Sequence, residues 1–247
     1  MRAFVKLTLI QVKLYLRDPL GVFFTLLFAP LLMVVIGLVS GNEPDPLLGG
    51  VGYLDHAISA YIGIIIGLVG LLSIPIGTAT QRENGTLRRF AVTPLKPVVY
   101  FGADILAPLV ATLLGTMLLL LVGRLAYGIR FEGSALSLIA ALCLSALALF
   151  SIGYALGGLA PSARSAIVIG NVVAIPILFL SGAYMPLYLM PETVQQAARF
   201  LPLMHVVNLV RGIWFGGRLT DYLFEVLVLV AILLAGTAVV GTTFRWE

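Results

Sequence analysis

Six stretches of the chain carry no Asp, Glu, Lys or Arg: Leu20 to Asn42, Ala57 to Gln81, Ile105 to Gly123, Gly133 to Ala163, Ser165 to Pro191 and Val226 to Phe244. Each is long enough, at about 1.5 Å of rise per residue, to cross about 30 Å of hydrocarbon as a helix. The apolar residues run on continuously instead of alternating, and lipid offers a bare backbone no hydrogen-bond partner. Helices are therefore expected and a strand barrel is not. The pattern predicts an all-α membrane protein, one transmembrane domain over 1–247, with spans at 20–41, 57–80, 105–125, 135–160, 165–184 and 223–243.

Composition agrees. Of 247 residues, 60% are hydrophobic and 11% charged, with a mean hydropathy of +1.09, whereas a soluble domain is roughly 25% charged. Disordered, collagen-like and disulfide-framework classes are excluded. The single cysteine, Cys143, lies in an apolar run and reads as a small core residue. The net charge is 15 − 11 = +4. The basic residues flank apolar segments instead of building one long basic face, which points to lipid headgroups and a partner protein, not nucleic acid.

With six spans, both termini share a side with the loops after spans 2 and 4. That side holds ten of the 15 Lys and Arg residues: Arg2, Lys6, Lys13, Arg17, Arg82, Arg88, Arg89, Lys96, Arg164 and Arg245. The excess assigns the termini to the cytoplasm, and the first outer loop, with Glu43, Asp45 and Asp55, agrees. Arg124 and Arg130, placed outside, run against it. Residues 1–19 are too long a lead for a cleavable signal and are expected to be retained. On a helix, Arg2, Lys6, Lys13 and Arg17 fall within about 60° of one another, as on a helix lying along the inner membrane surface.

Pro30, Pro75, Pro108 and Pro176 fall within spans, where each removes a backbone hydrogen bond and is expected to kink its helix. The pairs Gly37 with Gly41, Gly63 with Gly67 and Gly153 with Gly157 sit at a spacing that lets helices approach closely. Two segments do not span: Gln81 to Pro97 inside and Leu187 to Tyr222 outside.

The chemistry available is limited. His56 and His205 are the only histidines and neither begins a metal-binding His-Glu-x-x-His, so a zinc enzyme is not expected. None of Lys6, Lys13 and Lys96 lies in a Gly-x-x-x-x-Gly-Lys-Ser/Thr phosphate loop, so ATP-driven work must come from another subunit. The middles of the spans carry no ionisable group; Asp104 and Glu225 sit at span ends and read as interfacial anchors. A proton- or sodium-coupled secondary transporter would need a deeper carboxylate. A membrane enzyme would need a polar cluster stronger than the scattered Asp55, His56, Glu192 and His205.

The inner segment is the most informative. From Arg82 to Pro94 it reads Arg-Glu-Asn-Gly-Thr-Leu-Arg-Arg-Phe-Ala-Val-Thr-Pro, and a short helix from about Thr86 to Val92 would present apolar and basic side chains together, as docking on a soluble partner requires. This run resembles the signature loop of ATP-binding-cassette (ABC) type 2 permeases: Arg-Glu, one or two variable residues, Gly-Thr-Leu-Glu, then Thr-Pro. Arg88 departs from it, standing where the family often has Glu. Ser181 to Pro186, Met190 with Pro191, and Leu201 to Arg211 resemble the family's region between the fifth and sixth spans.

The resemblance implies the permease subunit of an ATP-driven ABC exporter, itself no enzyme and without a cofactor of its own. It would pair with a second, identical or related permease chain and sit on two ATPase subunits that hold ATP and Mg. The coupling region would be 82–95, with Glu83, Gly85, Thr86, Leu87, Arg88, Arg89 and Phe90 seated in the ATPase. Spans 1 and 5 would meet across the dimer, and 187–217 would form re-entrant helices making an outer gate. The cargo would be hydrophobic or amphipathic: a drug, antibiotic or lipid-like molecule leaving the cytoplasm across the cell inner membrane. A stand-alone secondary transporter and a polytopic membrane enzyme are the rival readings.

The outer segment supports this on its own terms. Pro191 precedes Glu192 in a first helical turn and Pro202 ends the stretch. Met204 to Phe215 is apolar but too short to span. His205, Asn208 and Arg211 are expected either to line the outer mouth or to bond loop carbonyls.

Overall fold

Asp18 and Pro19 interrupt the chain between an amphipathic helix, Arg2–Leu16, and the first long apolar helix. A computed structural model of the chain describes residues 2–45, 50–86, 97–181 and 190–243. The described residues are nearly all helical; the strands among them are Pro44–Asp45 and Val51–Gly52, paired antiparallel with Pro44 opposite Gly52. Among the described residues, six helices are long and apolar enough to cross a membrane: Pro19–Ser40, Tyr53–Glu83, Gly102–Tyr127, Ala135–Leu159, Ala163–Leu180 and Leu219–Thr242, here spans 1 to 6.

Span 2 is the axis. In its most apolar stretch 83% of the residues are buried within the chain, against 11% in span 6. Ile58, Ile62, Ile65, Ile66 and Val69 are fully enclosed there. Lipid tails are as apolar as these side chains, so what holds the helices together is close packing instead of escape from water. The glycines show where backbones meet. A methyl group at Gly153 of span 4 would collide with the carbonyl of Gly70 in span 2, and one at Gly115 of span 3 with the carbonyl of Thr25 in span 1. Gly63 and Gly67 lie beneath Val207, Leu203 and Leu178, and Gly37 beneath the ring of Tyr127. Gly41 does not pack; it ends span 1 with φ +65°.

Two of the four prolines act through wider turns. Phe23–Leu27 and Val69–Ser73 are π-helical, and they precede Pro30 and Pro75. A proline lacks an N–H and its ring crowds the preceding turn, and a π-turn opens the ladder to accommodate that. Pro108 and Pro176 lie inside continuous helices.

Polar side chains tie together the end of span 1, the start of span 2 and the end of span 3. The Asn42 amide donates to Asp55 Oδ2 at 3.0 Å and to the Tyr127 carbonyl at 3.2 Å, while its Oδ1 accepts the backbone N–H groups of Leu54 and Asp55. Asp55 Oδ1 accepts the backbone N–H of Arg130 at 2.8 Å. This explains why span 2 starts at Tyr53, four residues before its charge-free stretch: Asp55 is satisfied inside the fold, so it does not end the helix.

The helix Arg2–Leu16 packs along span 3. Leu7 and Gln11 face inward, Lys6, Lys13 and Arg17 are exposed, and the exposed apolar residues Leu9, Ile10, Leu14 and Leu16 lie on both flanks of the basic stripe. That distribution suits a helix half-sunk among headgroups.

Candidate functional site

The C-terminal end of span 2 is held by two adjacent charges. The Arg82 guanidinium donates to the carbonyl of Gly158 at 3.0 Å and to that of Ala160, where span 4 ends. Glu83 Oε2 accepts the backbone N–H of Ala163 at 3.0 Å, where span 5 begins. The last carbonyls of a helix carry partial negative charge and the first amides partial positive charge, so a cation on the first and an anion on the second complement both ends. Ser162 Oγ adds a cap, accepting Ser165 N–H at 3.1 Å. The Arg-Glu pair thus clamps the turn joining spans 4 and 5 onto the end of span 2.

The helix stops immediately afterwards. Gly85 has φ +66° and its N–H bonds the Arg82 carbonyl at 3.0 Å, a left-handed terminus that glycine takes without strain. Glu83, Gly85 and Thr86 of the expected coupling set are found here, Glu83 on the clamp and Gly85 at the turn. Leu87, Arg88, Arg89 and Phe90 lie outside the described residues.

A second junction lies close by. Asp104 Oδ1 accepts from Gln11 Nε2 at 2.8 Å and Gln81 Nε2 at 3.5 Å, and its Oδ2 accepts from the Tyr154 hydroxyl at 2.7 Å. One carboxylate therefore joins the amphipathic helix to spans 2, 3 and 4. The expectation of an interfacial anchor is corrected: the donors around Asp104 come from the protein. Gln11 and Gln81 were the legible signs, one on the inward face of the basic helix and the other beside Arg82.

At the opposite end, Pro191 precedes a helix at Glu192–Ala198, and Pro202 opens a second at Pro202–Trp214. The latter's 13 residues extend about 20 Å, too short to span. It buries Leu203, Val206, Leu209, Val210 and Ile213 against the bundle. Its other side meets the start of span 6 around a cavity of about 340 Å³ lined by Asn208, Arg211, Gly212, Phe215, Tyr222 and Glu225. Arg211 is partly buried, which pulls its guanidinium below its ordinary pKa, and among the described residues its one hydrogen bond is a long contact from Nε to Ser59 Oγ at 3.4 Å. His205 is separate: it is buried edge-on against Phe224, ring centroids 5.7 Å apart, with no partner for Nδ1 among the described residues. Of the three expected mouth residues, the structure brings Asn208 and Arg211 together and sets His205 in the packing. Among the described residues, no three His, Cys, Asp or Glu side chains come together to hold a metal.

The sequence matches the family model described as ABC-2 type transporter over residues 2–215. The chain is 30% identical over 168 residues to the inner membrane transport permease YhhJ of Escherichia coli K12, covering 66% of this chain and 45% of that one. It is 44% identical over 80 residues to nodulation protein J of Rhizobium leguminosarum bv. trifolii, 32% of this chain and 30% of the relative. With nodulation protein J of Rhizobium meliloti strain 1021 the identity is 29% over 209 residues, 75% of this chain and 77% of the relative. The chain spans less than half the length of the first two of these relatives.

Proposed function

Taking as premise that the chain belongs to the ABC-2 type transporter family, we propose that it is the membrane-spanning subunit of an ATP-driven exporter. The observation that carries this reading is the clamp of Arg82 and Glu83 on the turn between spans 4 and 5. A segment that hangs from span 2, the axis of the bundle, and is fastened to two further spans can move them when it is moved. Residues 86–90 are the coupling contact, seated in one of two ATPase subunits that hold ATP and Mg. ATP binding draws those subunits together, and the tilt passes through Arg82 and Glu83 to spans 4 and 5. Through Asp104 it also reaches the amphipathic helix and span 3.

A second permease chain completes the passage. Span 1 offers it exposed Leu31, Val35 and Leu38, and span 5 exposed Val168, Val172 and Phe179. The termini face the cytoplasm, and the helices Glu192–Ala198 and Pro202–Trp214 act as the re-entrant outer gate. Mid-span surfaces without charge suit hydrophobic or amphipathic cargo better than a small ion. The test is reconstitution in proteoliposomes with the cognate ATPase. Export should require both chains and ATP, and cargo movement by the purified chain alone would refute the reading.

A further inference from the structure

Four of the six residues lining the outer cavity, Asn208, Arg211, Tyr222 and Glu225, carry polar or charged side chains, and among the described residues the fold leaves much of their bonding capacity open. Among the described residues, the Asn208 amide, the Tyr222 hydroxyl and the Glu225 carboxylate make no hydrogen bond, and the two terminal nitrogens of Arg211 make none. Arg211 and Glu225 line the same cavity yet form no ion pair with each other. A cation and an anion thus face one space of about 340 Å³, each with its bonding capacity open.

The wall behind them is fixed. The ring of Tyr222 lies so close over Gly212 that a methyl group there would collide with it, and it also touches Gly217.

These groups select a ligand by charge. A purely anionic molecule would pair with Arg211 but bring its charge towards Glu225, and a cation would do the reverse. A neutral polyol would bond both ions but bring no opposite charge to either, forgoing the attraction of two ion pairs. A molecule carrying an anionic and an ammonium group a short link apart satisfies both. We infer that this cavity binds a zwitterionic headgroup, its anionic group on Arg211 and Asn208 and its ammonium group on Glu225. The shared chemistry is that of a phosphoethanolamine group, on a lipid or free. The inference depends on the export reading only in taking the bound molecule as cargo; the site itself stands on the cavity.

Binding to the purified full chain in a polyoxyethylene detergent, which carries neither charge nor sugar, tests it. The probes are radiolabelled dihexanoyl phosphatidylethanolamine, its phosphatidylglycerol analogue, and a cationic dihexanoyl trimethylammonium lipid. The ethanolamine lipid should bind at least about tenfold more tightly than either singly charged one. Glu225→Gln should weaken it about tenfold while sparing the glycerol lipid, since one charge-assisted contact is lost. Arg211→Gln should weaken both phosphate-bearing lipids. If Arg211→Gln does not fold, judged by gel filtration, the wild-type preference and Glu225→Gln decide. Displacement by free O-phosphoethanolamine would assign a soluble zwitterion, and binding without displacement a lipid. Equal binding of the three probes, or full binding by folded Glu225→Gln, overturns the inference. The assay uses no ATPase, so its failure would leave the export reading standing, and failure of export would leave the site standing.

Discussion

The carboxylate of Glu83 accepts the backbone amide of Ala163 at 3.0 Å, joining the last residue of span 2 to the first of span 5 across 80 residues of sequence. The contact is exposed, so its worth to stability is small: about 0.3–1 kcal/mol for an anion at a helix N-terminus. Under the proposed coupling its position, between residues 86–90 and span 5, matters more. Glu83→Ala should therefore lower the thermal unfolding midpoint of the permease only slightly while cutting cargo exported per ATP hydrolysed several-fold. A loss of folding in proportion to the loss of export would mean that Glu83 serves stability alone.

Arg82 reaches two carbonyls at once, Gly158 and Ala160, and a planar guanidinium can do so where a lysine ammonium on a single stem is poorly matched. Arg82→Lys should keep the charge but lose about 1 kcal/mol, the net worth of one hydrogen bond, and Arg82→Ala more. Denaturation of the detergent-solubilised variants in parallel checks the order. Equal stability of wild type and Arg82→Lys would show that charge alone suffices.

Asp104 is shared by Gln11, Gln81 and Tyr154. Asp104→Ala removes the acceptor common to four helices and should cost about 2–3 kcal/mol, whereas Tyr154→Phe removes one donor and should cost about 1 kcal/mol. Protease cleavage just after the amphipathic helix should speed up in Asp104→Ala, because Gln11 is that helix's polar tie to span 3. Unchanged cleavage would limit the role of Asp104 to the spans.

Gly153 and Gly77 make a contrast. Gly153 meets the backbone of Gly70, while a methyl group at Gly77 would meet nothing within 4 Å. Gly153→Leu should destabilise by about 3 kcal/mol or prevent assembly, because spans 2 and 4 would have to separate. Gly77→Ala should be neutral or stabilising by up to about 1 kcal/mol through helix propensity. Melting midpoints measured in one detergent decide both.

Much of this architecture is legible in the chain. Span positions follow from charge-free runs because lipid excludes charge. The helices run past those stretches where a charged residue continues inside the fold: Asp55 within span 2 because Asn42 and the Arg130 amide receive it, and Asp104 within span 3 because Gln11, Gln81 and Tyr154 do. Partnership across 13 to 93 residues leaves no local pattern to read. The role of Gly153 was visible as a small-residue pair, but Gly41 at the same spacing proved to be a helix terminus, since spacing does not report φ. Asn208 and Arg211 were legible as polar residues three apart on an apolar helix; Tyr222 and Glu225, which complete their cavity, come from another element and were not.

The central claim is that the segment following Glu83 docks on a separate ATP-binding chain. Photo-crosslinking in native membranes tests it most directly, with benzoylphenylalanine replacing Leu87 in one strain and Arg130 in another. The account predicts that the probe at 87 captures a partner labelled by azido-ATP and that the probe at 130, at the opposite end of the bundle, does not. Capture of that partner from 130 and not from 87 would contradict it.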